Sequence, residues 1–167
     1  AEPGNDALDV QGKLVVIGTA SQVITFEPLT PTLGWSGIAI MGTEELPGAG
    51  GDFDHVVITK GGFGGNCDVY IAYGNVTIAN SMLEESRTSG VCLDHGASLV
   101  MTDTLLNYNQ EFAMDVYDAG ALFFLDGLTA FMNHSNTIGI EGGTLFGPHT
   151  WPKSGINTYD IFYGSLT

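Results

Sequence analysis

In 167 residues the chain carries 19 Asp and Glu against four Lys and Arg, a formal net charge of −15. A field of that sign repels phosphate backbones and anionic headgroups, which argues against nucleic acid and membrane surfaces as partners. Apolar residues make up 44% of the chain, ample for one core at this length, yet no apolar run approaches the ~18 residues of a membrane span.

Residues 1–12 (AEPGNDALDVQG) are turn-rich and read as a lead-in, and Ala1-Glu2-Pro3 suits a mature end left by removal of a signal peptide. Leu14–Ile17 and Val23–Phe26 then read as strands around Gly18-Thr19. The Pro28/Pro31 segment reads as a loop, and Trp35 introduces a strand at Ile38 and Ile40. Residues 43–52 (TEELPGAGGD) read as an inserted loop, after which Val56 and Ile58 mark another strand.

From Asp68 onward one pattern recurs. Three units, 68–89, 90–112 and 113–137, are 22, 23 and 25 residues long, and an incomplete fourth spans 138–145. Gly74, Gly96, Gly120 and Gly143 recur, as do Asn80, Asp103 and Asp126. A period in this range marks a solenoid, in which no single coil can bury its own apolar face. Apolar residues alternate with polar ones in runs of four to six, the signature of strands with one buried face. The predicted inner columns are Val69/Val91/Met114/Ile138, Ile71/Leu93/Val116/Ile140 and Val76/Leu99/Leu122/Leu145. Two residues further along the last of these runs stand Ile78, Met101 and Phe124. Ile38/Ile40 and Val56/Ile58 are expected in the same columns. The glycines suit corners, and Asn80, Asp103 and Asp126 suit a further corner, since Asn and Asp tolerate left-handed backbone.

The units, together with the opening order GxLxxxGT…ITF…WSGIxI…FDHVxIxxGG over residues 13–147, resemble right-handed parallel β-helix proteins of the pectate-lyase-like superfamily, in particular secreted bacterial repeat proteins. The resemblance implies an all-β fold, a right-handed parallel β-helix with coils of about 22–25 residues. A left-handed hexapeptide helix would show a six-residue beat, which is absent. The fold hosts lyases, hydrolases, adhesins and inert spacers, so it is nearly silent on activity. The whole chain, 1–167, reads as one domain, closing with a loop and terminal strands over 148–167. Neither end shows a capping helix. Bare ends expose strand edges, so the expected partners are copies of the chain or a longer parent solenoid.

Candidate chemistry gathers at one corner. Asp94 and His95 follow one strand, Asp115 and Asp118 belong to the next coil, and Glu141 to the one after, so stacking brings them to one face. The plainest reading is a solvated acidic surface. Asp94, Asp115 and Asp118 could instead ligate calcium, or two carboxylates with a histidine could act on a sugar. Polygalacturonases of this fold share NTD, DD, GHG and RIK motifs, none of which occurs here, and a uronate lyase needs cations that only Lys60 and Arg87 could supply. Arg87 reads as a corner residue pairing with Glu84 or Glu85. Tyr70, Tyr73, Tyr108 and Tyr117 suit inner stacks, or alternatively a platform for a neutral glycan.

Cys67 and Cys92 form an even pair that suits a disulfide in a secreted protein. Aligning Cys92 with Tyr70 leaves Cys67 about 10 Å away along the strand, beyond the ~7 Å reach of a bridge, unless Gly64-Gly65-Asn66 folds the chain back. Asn75-Val76-Thr77 and Asn133-His134-Ser135 are glycosylation sequons. The functional expectation is a non-catalytic extracellular or cell-surface module, structural or adhesive and self-associating, with polysaccharide binding or degradation at the Asp94/His95/Asp115/Asp118 face as the alternative.

Overall fold

A computed structural model describes residues 6–30, 32–46, 48–142, 155–156 and 158–162. Five coils of three short strands follow one another. They are β1 (Ala7–Val10), β2 (Lys13–Ile17) and β3 (Ile24–Phe26); β4 (Gly37–Met41), β5 (Ala49–Asp54) and β6 (Val56–Thr59); β7 (Val69–Ala72), β8 (Gly74–Ala79) and β9 (Met82–Glu84); β10 (Val91–Leu93), β11 (Ser98–Thr102) and β12 (Leu105–Asn107); β13 (Phe112–Val116), β14 (Leu122–Asp126) and β15 (Thr129–Phe131). Strands β16 (Ser135–Ile140) and β17 (Tyr159–Ile161) extend the first position. Equivalent strands pair in parallel, giving a first sheet β1-β4-β7-β10-β13-β16-β17, a second β2-β5-β8-β11-β14 and a third β3-β6-β9-β12-β15. The chain is a parallel β-solenoid.

The first sheet follows the expected columns. Val69, Val91, Met114 and Ile138 stack in register, as do Ile71, Leu93, Val116 and Ile140, and all eight are 0% exposed. Ile38 and Ile40 continue these columns onto β4. Each such buried aliphatic chain contributes roughly 1.5–3 kcal/mol.

Elsewhere the structure corrects the reading. Residues 7–10 of the lead-in form β1 and pair with β4. Val56 and Ile58 belong to a third sheet, where Phe26, Ile58, Leu83, Leu106 and Ala130 make a column of their own. Residues 49–52 of the supposed inserted loop belong to β5. Its Ala-Gly-Gly start lacks strand-forming side chains, but Gly51 faces inward, where the Phe53 ring occupies the space its side chain would take, with Cε2 2.5 Å from an ideal Cβ.

The second sheet slips by one residue in the fifth coil. Leu99 is opposite Val76 and Phe123, and Met101 is opposite Ile78 and Leu125. Leu122 and Phe124 therefore point outward, 61% and 56% exposed, whereas Leu125 is 3% exposed. The cause is the connection between sheets, which runs Ile71 to Val76, Leu93 to Leu99 and Val116 to Phe123, one residue longer each time. Leu145 and Gly143 lie outside the described residues.

The same slip moves the corner. His55, Asn80 and Asp103 adopt positive φ, and Gly127 takes the equivalent place, while Asp126 stays in the strand opposite Thr102. Lys60, Glu85, Tyr108 and Met132 form a second left-handed series. Of the recurrent glycines, Gly96 turns with φ 62, but Gly74 lies inside β8 and Tyr73 takes the positive φ before it.

Candidate functional site on the outer face of the first sheet

Alternation that turns Met114 and Val116 inward must turn Asp115 outward from β13. Its register neighbours are Cys92 on β10 and Gly139 on β16. Glycine leaves room for the carboxyl, and Asp115 Oδ1 lies 3.1 Å from where a Cβ on residue 139 would sit. Asp115 is thus only 3% exposed, and its Oδ1 has no hydrogen-bond partner. Burial, followed by the nearby Glu141 and Glu111 carboxylates, pushes its pKa up to about 7.

Around it opens a cleft of about 470 Å³. Glu111, Asp115 and Glu141 supply carboxylates, and Phe112 and Phe162 stack with centroids 5.0 Å apart. Tyr117 and His134 complete the lining. Burial first, then Asp94 and Glu111, raises Glu141. Tyr117 is also raised, by burial first and then by Asp115 and its neighbouring carboxylates.

Asp94 and His95 form a separate group. Tyr70 donates its hydroxyl to Asp94 Oδ2 at 2.6 Å, and His95 offers both its backbone amide and Nδ1 to Asp94 Oδ1. Burial pushes Asp94 up, but the hydrogen bonds from Tyr70 and His95 outweigh it and leave the group below its usual value. The bond to Asp94 raises His95, with Asp118 adding a smaller push. Asp118 itself accepts the Gly120 amide at 3.0 Å, a local turn contact.

The predicted residues therefore share a face but divide into two groups, Asp94/His95 with Asp118 nearby, and Asp115 with Glu141. Among the described residues no three His, Cys, Asp or Glu side chains form a group able to hold a metal ion. Glu111, Phe112, His134 and Phe162 went unrecognised in the sequence. Glu111 and Phe112 do adjoin Asp115 in the chain, but their reach into the same cleft depends on how the coils stack.

Cys67 and Cys92 are joined by a disulfide with Cα atoms 5.9 Å apart. Gly64 and Gly65, at φ 79 and 93, fold the preceding segment back as the shorter reach requires. The tyrosines lie outside the inner columns: Tyr70 shares the outward column of Cys92, and Tyr108 meets Phe131 edge-on at a corner. Arg87 lies over the Phe63 ring, while Glu85 faces Lys60 at 3.5 Å. Of the two sequons, Asn75 is exposed, whereas Asn133 is 8% exposed and donates to the Leu106 carbonyl of the preceding coil. Among the described residues no helix is long and apolar enough to cross a membrane. No protein-family model, curated protein or solved structure matches the chain.

Proposed function

We propose that this chain is a non-catalytic extracellular module, structural or adhesive, that self-associates end to end, built as a right-handed β-helix of the pectate-lyase-like type. One observation supports the reading above others. Among the described residues all three sheets finish on the same side in β1, β2 and β3, and there the inward-facing Leu8 and Ile24 remain 37% exposed. Three parallel strand edges with core side chains behind them fit one occupant best, a further coil of the same kind. A second copy docking on these edges would extend the sheets, and a head-to-tail contact of that kind propagates into a filament.

The charge of −15 opposes that contact between copies, so screening by salt should favour it. Light scattering after size exclusion, with electron microscopy of negatively stained samples, tests the reading at low and physiological ionic strength. Concentration-dependent oligomers or filaments that strengthen with salt are expected; a monomer at every concentration and salt level overturns it.

A glycan-binding or glycan-degrading role is the second reading, supported by Tyr70 beside the Asp94/His95 pair and by the buried Asp115 on the same face. A glycan array with reducing-sugar and unsaturated-product assays tests it. Turnover abolished in Asp94→Ala or Asp115→Ala would replace the structural reading with this one. Melting with calcium against chelator tests whether the folded state binds that ion under either reading.

A further inference from the structure

The cleft beside Asp115 brings together groups of one sign. Glu111, Asp115 and Glu141 line it, and His134 is the one basic side chain among the described lining residues. Carboxylates gathered away from bulk water repel one another, and that repulsion is relieved by a proton or, at alkaline pH, by a counter-charge. Asp115 adds an observation independent of the cluster: it is only 3% exposed, and Oδ1 lacks any hydrogen-bond donor. Most buried polar groups in folded proteins are satisfied, and Asp115 Oδ1, unlike the buried Asp68 Oδ2, is an open acceptor at the wall of a cleft, where a ligand donor can reach it.

The shape of the cleft narrows the donor. At about 470 Å³ it falls in the range of small-molecule sites, far larger than one ion needs. No three acidic or histidine side chains close on a point among the described residues. An apolar wall comes from the stacked Phe112 and Phe162 rings, whose faces attract cations and pack against hydrocarbon. Among the described residues the lining holds no Lys or Arg for an anionic ligand. Where the carboxylates are ionised, a neutral ligand would leave their repulsion in place.

From this geometry we infer that the cleft formed by β13, β16 and β17 binds an organic cation, a protonated amine carried on an apolar body. The ammonium donates to Asp115 and Glu141, with Glu111 adding long-range attraction, and the body lies against Phe112 and Phe162. This goes beyond the structural role proposed above and does not depend on it, since a monomer could hold the same ligand.

Benzylamine is a suitable probe, with benzyl alcohol as its neutral match. Titration calorimetry on the full chain at mildly alkaline pH and physiological salt measures both, and protein-observed NMR locates the contact. Saturable binding of benzylamine, at least tenfold tighter than benzyl alcohol, is expected. Asp115→Asn and Glu141→Gln should each weaken it about tenfold, while Asp52→Asn on the second sheet should leave it unchanged. Glu141→Gln, at a less buried position, decides the matter if Asp115→Asn fails to fold. Equal binding of the two probes overturns the assignment, as does weakening by Asp52→Asn to the same degree, which would mark diffuse attraction by the net charge. Absence of saturable binding overturns it as well, as does displacement of the probe by a neutral sugar at comparable concentration.

Discussion

Asn109 donates its side-chain amide to Oδ1 of Asn133, one coil away, at 2.8 Å. Its own Oδ1 accepts the backbone amide of Ser86 from the coil on the other side at 3.0 Å. Asn133 repeats the arrangement, accepting the Asn109 backbone amide at 3.0 Å and donating to the Leu106 carbonyl at 2.8 Å. This ladder satisfies backbone at a buried corner where no sheet can. Asn109→Ala strands the Ser86 amide, an orphan that costs ~1–3 kcal/mol, and removes one of the two donors to Asn133 Oδ1, a lost bond worth ~1 kcal/mol more. Urea unfolding should therefore show a loss of about 3 kcal/mol with an unchanged slope; a loss below about 0.5 kcal/mol would remove the ladder from the list of stabilising features.

Stability should peak in mild acid. Asp68 is 0% exposed, accepts one bond from the Gly61 amide at 2.8 Å, and leaves Oδ2 without a partner. Burial, with smaller pushes from Glu84 and Glu85, raises it well above the usual carboxylate value. Asp115, pushed up to about 7, and the raised Glu141 act in the same direction. Groups that hold protons more tightly when folded favour the folded state most below their unfolded value, ~4, and that advantage is lost as pH rises toward the folded value. Asp94 and Asp54, held below their usual value, lose their contribution below about pH 4. The melting temperature should accordingly fall between about pH 5 and about pH 8. Asp68→Asn should flatten that decline and melt above the parent at the alkaline end; a parent profile rising over this range would contradict the assignment.

The Cys67–Cys92 bridge closes a loop across 25 positions. Constraining an unfolded loop of that size is worth about 3 kcal/mol. Reductant should lower the unfolding midpoint of the parent chain accordingly and leave a Cys67→Ser/Cys92→Ser double variant unmoved. Equal sensitivity of both would show that the reductant acts elsewhere.

Register in the fifth coil can be read by substitution. Leu125→Ala should cost about 2–4 kcal/mol through lost burial and a residual cavity. Leu122→Ala and Phe124→Ala, at outward positions, should stay within about 0.5 kcal/mol. The opposite ranking in chemical denaturation would restore the unslipped register.

How much was legible in the sequence differs from sheet to sheet. The first-sheet columns were readable because Val69, Val91 and Met114 are flanked by the same alternation at nearly constant spacing. The third sheet was hidden because Leu83 and Leu106 sit in three-residue strands, too short to show a period. In β5, Gly50 and Gly51 masked a strand that Phe53 completes from the side. For the site, outwardness of Asp115 followed from alternation, but its burial followed from Gly139, its register neighbour on the next coil.

What the sequence determined by itself was the coil: repeated alternation in units of 22, 23 and 25 residues leaves no way to bury those faces except by stacking like on like. Tertiary structure alone decided where each coil turns, and thus which of Leu122 or Phe123 is inside, because one extra residue in a connection changes no local preference yet reverses every side chain after it. It also decided that Asp115 and Glu141 share a cleft with Phe112 and Phe162. That proximity is a property of stacked coils about 4.8 Å apart, and no single repeat contains it.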